Sequence, residues 1–160
     1  VDRLLEIEEA NFPGDRISRR SFRYYLQRQA AGRARLLVDC GEGTIRGAAL
    51  LTALGRRTVR LYSLVVDAPY RRGGIAGRLM DAAERWAVRT GYARLVLEVR
   101  VDNAGAIRFY EARGYRVVAE IDDYYEDGCR ARRYAKPLRS ALPRAVRRSR
   151  TATGGIRSAR

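Results

Sequence analysis

The sequence predicts one α/β layer domain whose central sheet is only partly parallel. Three observations predict it: two helical periodicities open the chain, three apolar runs joined by short glycine turns follow, and helices then alternate with strands to about residue 138. Residues 1–11 set Leu4, Leu5 and Ile7 among charges. Residues 18–31 space Phe22, Leu26 and Ala30 at helical intervals, with Ser18 as cap. Between them Phe12-Pro13-Gly14-Asp15 is a turn. The apolar runs 36–40, 45–54 and 59–67, separated by Gly41-Glu42-Gly43 and Gly55-Arg56-Arg57, read as an antiparallel meander. After Pro69 the period becomes helical, with Ile75, Leu79, Ala83, Trp86 and Ala87 on one stripe that ends at Thr90-Gly91. Residues 94–101 alternate as a strand, Asp102 or Asn103 caps a helix that Gly114 ends, and strands 115–121 and 131–136 close the domain. The connection across residues 59–101 is a right-handed crossover. In such sheets ligands bind beyond the carboxyl ends of the strands, here near Val66 and Val99.

With 46% hydrophobic and 32% charged residues the 160-residue chain is globular rather than disordered. No run approaches the ~20 apolar residues of a membrane span, and the opening VDRLLEIEEANF places acids where a secretory leader needs a basic then apolar stretch. A cytoplasmic protein without membrane contact is expected. Cys40 and Cys129 lie 89 positions apart and there is no His, so two free thiols and no metal site are expected. The net charge of +15 raises nucleic-acid binding. Residues 139–160, however, hold seven Arg and no acid, which leaves about +8 (15 − 7) for residues 1–138. Lys136 is the one lysine among 33 cations, a pattern of coding bias rather than of phosphate contacts. The division expected is a domain at 1–138 and a basic, flexible tail at 139–160; the tail's other reading is an accessory role on RNA or an acidic partner. The protein is expected to be a monomer or weak homodimer.

Immediately after the strand LYSLVVDAP stands Tyr70-Arg71-Arg72-Gly73-Gly74-Ile75-Ala76-Gly77-Arg78, a glycine-rich turn opening the strongest helix. Backbone N–H groups at a helix start have no intrahelical partners and sit at the positive end of the dipole, so a pyrophosphate can be held there. The other reading is an ordinary tight turn. It is neither a P-loop nor a dinucleotide fingerprint.

Arg71-x-x-Gly74-x-Ala76 resembles the coenzyme A pyrophosphate loop of the GNAT superfamily of N-acetyltransferases. A second stretch, Leu97-Glu98-Val99-Arg100, a short gap, Asn103, Ala106-Ile107, Tyr110 and Gly114-Tyr115, resembles the signature of its RimI-type protein N-terminal acetyltransferase branch, as does Asp123-Tyr124-Tyr125-Glu126. The resemblance covers residues 45–138. It implies a three-layer fold with a mostly antiparallel mixed sheet splayed at the acetyl-CoA site. It further implies acetyl-CoA as the acetyl donor, held by Leu64, Val65, Val66, Arg71, Arg72, Gly73, Gly74, Ile75, Ala76, Gly77, Asn103 and Tyr110. Glu98 is the implied general base and Tyr110 the implied proton donor to the leaving thiolate. The family usually starts with a strand before its first helix; this chain opens within that helix, so that strand is expected to be missing or replaced.

The chemistry agrees independently. An attacking amine must be neutral, yet reference pKa values near 7.7 to 8.0 for an α-amine and 10.4 for lysine leave both protonated at pH 7. Without His, a carboxylate has to take the proton, and Glu98 faces away from Leu95, Leu97 and Val99. Its other reading is a surface charge paired to Arg100 or Arg94; for Tyr110 it is a ring packed in the core. A strand-bulge N–H near Val66 suits the oxyanion. Acids gather at Glu6, Glu8, Glu9 and Asp15 and again at Asp122, Asp123, Glu126 and Asp127, and both segments border the acceptor side in the family. Phe12, Asp15, Tyr124 and Tyr125 are therefore the acceptor-binding candidates. The acceptor expected is a protein or peptide N-terminal amine; a lysine or small-molecule amine is the alternative.

Overall fold

The computed structural model describes residues 1–12 and 17–138. Along the chain come α1 (Asp2–Asn11), α2 (Arg19–Ala30), β1 (Ala34–Gly41), β2 (Thr44–Ala53), β3 (Thr58–Val66), a 3-10 turn (Ala68–Tyr70), α3 (Ile75–Thr90), β4 (Arg94–Arg100), α4 (Ala104–Ala112), β5 (Arg116–Ile121) and β6 (Ala131–Pro137). The elements expected from periodicity are present, with ends shifted by a residue or two. The basic tail, and Asp15 in the turn after α1, lie outside the described residues.

Local chemistry sets the ends. Ser18 caps α2, accepting from the Ser21 N–H at 3.1 Å, and Asn103 caps α4, accepting from Ala106 at 3.0 Å. Gly91 ends α3 at φ 94°, a left-handed conformation that a Cβ would disfavour.

The six strands lie in the order β1-β2-β3-β4-β6-β5, with β3 and β4 the parallel pair and the other neighbours antiparallel. Alternation along β2 feeds two cores. Ala48 and Leu50 pack with Leu4 and Ile7 of α1 and Phe22 of α2, while Ala49 and Leu51 pack with Leu79, Met80 and Ala83 of α3. A strand covered on both faces reads as a continuous apolar run, which is why this one carries Ala-Ala-Leu-Leu.

Two irregularities make room for a site. Leu50 pairs with Ser63 but Leu51 with Leu61, so Tyr62 is an extra residue in β3. Across it the strand changes faces: Val59 and Leu61 join the α3 core before the bulge, whereas after it Leu64 and Val66 do so and Val65 turns to α1. The bulge expected near Val66 therefore lies earlier, at Tyr62. The second irregularity is that β3 and β4 pair only at Thr58–Arg94, Val59–Leu95 and Arg60–Val96, and then part.

The start of α3 is seated on bare backbone. A Cβ at Gly47 would stand 2.9 Å from both the Ile75 Cγ2 and the Val65 carbonyl oxygen. Gly47→Ala is therefore expected to cost about 1–3 kcal/mol through overpacking. Urea unfolding measures it, and wild-type stability would show that the contact relaxes freely.

Candidate active site

Where β3 and β4 part, a cleft of about 460 Å³ opens. Residues 60–64 form one wall and 97–100 the other; Asn103 and Tyr110 come from α4, Glu8 and Phe12 from the α1 side, and Tyr124, Tyr125 and Glu126 from the loop between β5 and β6.

Glu98 stands at its root, its side chain only 4% exposed. Its Oε2 accepts from Arg60 Nε at 2.7 Å and its Oε1 from Arg133 Nε at 2.8 Å. Arg133 is its register partner on β6 and Arg60 is the last residue of β3 paired to β4, so one carboxylate ties three strands together. Arg60 also donates to the Tyr124 hydroxyl and lies 5.3 Å from the Tyr62 ring centroid. The pairing to Arg100 or Arg94 does not form. Arg100 reaches Asp102 and Asp127 instead, at 3.2 and 2.7 Å, where the β5–β6 loop folds over it.

Tyr110 packs in the core and also faces the cleft. Its ring packs against Phe109 and Tyr115, centroids 5.1 and 5.8 Å away, yet the residue also lines the cleft. Burial pushes its pKa up, the nearby Tyr125 adds to this and Arg113 opposes it, so the phenol keeps its proton at neutral pH.

Glu8 was expected as one of several patch acids. The structure separates it from them: Glu8 is 3% exposed, whereas Glu6 and Glu9 are at the surface. Ser63 donates its hydroxyl to Glu8 Oε1, and Oε2 is buried with no hydrogen-bond partner. Burial raises the Glu8 pKa, offset in part by Ser63 and by the Ile17 backbone N–H. A signal for this was present, since Leu4 and Glu8 are four apart and share the inward stripe of α1. Arg60, Arg133, Tyr62 and Ser63 were also passed over. Their placement depends on a bulge and a strand order that periodicity does not encode.

The glycine loop lies at the end of β3. Gly74 is the cap of α3 at φ 76°, and the Arg78 N–H bonds the Gly74 carbonyl at 3.0 Å, so the N–H groups of Ile75, Ala76 and Gly77 precede the first helical bond. Arg72 adopts φ 66°, rare for a residue with a Cβ. Arg71 is drawn back, its Nε to the Val66 carbonyl at 3.3 Å and its Nη2 to Asn11 Oδ1 at 2.8 Å. The loop is exposed and its glycines leave the amides uncovered, an arrangement that fits a diphosphate. The remaining candidates divide. Leu64 lines the cleft, Val65 is 2% exposed and turned into the α1 core so that only its backbone is available, and Val66 is half-buried. Asn103 lines the cleft while its Oδ1 serves the α4 cap. Phe12 lines the cleft too. Tyr124 and Tyr125 meet edge to face at 5.0 Å, with the Arg100 guanidinium 4.7 Å from the Tyr125 centroid. Among the described residues no group of three or more Cys, Asp or Glu gathers to hold a metal, and no helix is long and apolar enough to cross a membrane.

A splayed sheet with a glycine-rich turn and an exposed helix start at the end of one parting strand defines a class, and the sequence profile of the acetyltransferase (GNAT) family matches residues 1–115. The chain belongs to that family. It is similar to an N-alpha-acetyltransferase of Saccharolobus solfataricus, 37% identical over 84 residues that make up 51% of this chain and 50% of that protein. It is also similar to the [ribosomal protein bS18]-alanine N-acetyltransferase of Escherichia coli, 35% identical over 65 residues, 41% of this chain and 44% of that one. The chain thus spans about half the length of the curated relatives it matches. Among solved structures, Ard1 from Thermoplasma volcanium superposes with a TM-score of 0.78 at 25% identity, covering 86% of this chain and 90% of that one.

The raised Glu8 pKa has a stability consequence. Between the unfolded and folded pKa the native state holds the extra proton, so the Glu8 contribution is complete below the ordinary value of 4.5 and lost as pH rises through the folded pKa. Glu8→Gln removes this loss. The melting-temperature difference between variant and wild type should move in the variant's favour as pH rises across that window, and a pH-independent difference would contradict the burial of a chargeable group.

Proposed function

We propose that this domain transfers the acetyl group of acetyl-CoA directly to a primary amine, and that the amine is the N-terminus of a protein or peptide. The carrying observation is the cleft between β3 and β4: it joins a buried, protonated phenol to an acid-bearing chamber, along the released half of the strand that leads into the exposed amides of the glycine loop. Acetyl-CoA supplies the thioester carbonyl. The N–H groups of Ile75, Ala76 and Gly77, with Arg72 beside them, hold its diphosphate. The edge of β3 released after Arg60 offers backbone to the pantetheine arm and to the oxyanion. Tyr110 gives its proton to the departing thiolate.

The base role that the resemblance implies for Glu98 is the part this arrangement supports least. Both of its oxygens are engaged by guanidinium groups, and accepting a proton would break one of these bonds. Glu98 serves here by fixing Arg60, and through Arg60 the Tyr124 ring at the acceptor mouth.

Two features favour an N-terminal amine over a free small molecule. The Tyr124–Tyr125 pair offers flat surfaces to a peptide, and Glu8 and Glu126 give the chamber negative lining for a cation. The relatives named N-alpha-acetyltransferase and ribosomal-protein alanine N-acetyltransferase point to the same acceptor class.

Tyr110→Phe is expected to lower turnover about 10²–10⁴-fold with acetyl-CoA affinity unchanged, as for loss of a positioned acid. Steady-state kinetics beside calorimetric titration separates the two; unchanged turnover would return Tyr110 to a packing role. Gly74→Glu, which places a carboxylate at a position with φ 76°, is expected to abolish acetyl-CoA binding in the same titration. Retained affinity would place the diphosphate elsewhere.

A further inference from the structure

We propose that Glu8 of α1 meets the acceptor's ammonium group in the cleft and takes its proton before attack. The inference rests on the acetyl-transfer reading above and assigns the one step that reading leaves open.

Of the three carboxylates that line the chamber Glu126 is exposed, and the two buried ones, Glu98 and Glu8, differ in availability. Glu98 has one guanidinium on each oxygen, whereas Glu8 meets only neutral donors, the Ser63 hydroxyl on Oε1 and the Ile17 backbone N–H nearby, and its buried Oε2 has no partner at hydrogen-bond distance. A buried acceptor with an open lone pair costs free energy unless something fills it, and a donor arriving through the cleft is what the geometry offers. The charged groups facing the chamber are Arg60 of β3, Glu98 and Arg100 of β4 and Glu126 of the β5–β6 loop. Arg60 is taken up by Glu98, and Arg100 by Asp102 and Asp127, so neither neutralises Glu8. The tyrosines around it, with reference pKa near 10, add no charge at neutral pH. Burial also lifts the Glu8 carboxyl toward the range of an α-amine, which narrows the mismatch that makes an ordinary glutamate a weak base.

The step balances. The ammonium pairs with ionised Glu8 and gives it one proton, leaving a neutral amine. The amine lone pair forms the C–N bond to the acetyl carbonyl carbon, and the C–S bond breaks with its electron pair on sulfur. Tyr110 protonates that sulfur and recovers a proton from the new amide nitrogen, and Glu8 releases its own to solvent. The products are the N-acetyl amide, the free thiol and one proton.

The test is the pH profile of kcat/KM for Glu8→Gln, Glu98→Gln and wild type, with a short peptide bearing a free N-terminal alanine. Glu8→Gln should lose about 10²-fold at pH 7 with unchanged acetyl-CoA affinity, and the loss should shrink as pH rises past the amine pKa, because the acceptor then arrives deprotonated. Glu98→Gln should lose activity by a factor independent of pH. A Glu8→Gln profile parallel to wild type, or activity equal to it at pH 7, overturns the proposal. Should Glu8→Gln fail to fold, ¹³C-carboxyl NMR of the wild type reads the same contact. The Glu8 resonance should titrate above the ordinary glutamate range and shift on adding the alanine peptide but not its N-acetylated form; a resonance blind to the free amine overturns it. Wild-type protein that binds acetyl-CoA yet acetylates no amine would instead overturn the acetyl-transfer reading, independently of the NMR result.

Discussion

The structure depends on one carboxylate at the point where a sheet stops being a sheet. Glu98 on β4 binds Arg60 on β3 and Arg133 on β6, and immediately beyond Arg60 the parallel pairing ends. Parting two strands inside a domain exposes a row of backbone groups that would otherwise bond each other, which is unfavourable unless a ligand or water takes them. Here the outer edge of each strand stays paired, β3 with β2 and β4 with β6, so the gap opens without unravelling either side. The guanidinium bonds brace its root, and charge-assisted bonds of this kind are about twice as strong as neutral ones. The Tyr62 bulge adds to the effect by turning Ser63 and Val65 toward α1, which brings Ser63 to Glu8.

This arrangement divides labour by charge. The chain is strongly basic overall, yet its cleft carries Glu8, Glu98 and Glu126, while the exposed turn at the start of α3 carries Arg71, Arg72 and uncovered amides. In the proposed reaction this separation suits an anionic donor at the glycine turn and a cationic acceptor in the cleft. Tyr110 lines the cleft and is kept neutral by burial, which suits the proton-giving role proposed for it. Under the proposal, the burial that raises the basicity of Glu8 also makes its ionisation costly, so stability and proton transfer oppose each other at that residue.

Much of this was legible in the residues, and the exceptions have a common cause. Helices α1 to α4 and the meander follow from apolar spacing and from Ser18, Asn103 and Gly91, because caps and periodicities are local properties. The glycine loop was legible for the same reason, and Tyr110 stood out through the resemblance of the stretch from Asn103 to the RimI-type signature. The insertion of β6 between β4 and β5 was not legible, since strand order is a long-range choice that no local pattern records. With the neighbour of β4 undetermined, Arg133 could not be set beside Glu98, and the alternative reading of Glu98 as a surface charge named Arg100 or Arg94 as its partner instead. Glu8 was hidden differently: three acids within four positions read as one patch, although helical geometry sends Glu6 and Glu9 outward and Glu8 inward.

The central claim is that donor and acceptor meet in the gap between β3 and β4. The most direct measurement is a crystal structure with a bisubstrate analogue in which coenzyme A is joined through an acetyl bridge to the N-terminus of a short peptide. The account predicts the diphosphate on the amides of residues 75–77, the bridge in the gap beside Tyr110, and the peptide leaving past Glu8 and Tyr124. Coenzyme A density away from the glycine loop, or a peptide leaving by a path that avoids the cleft, would contradict it.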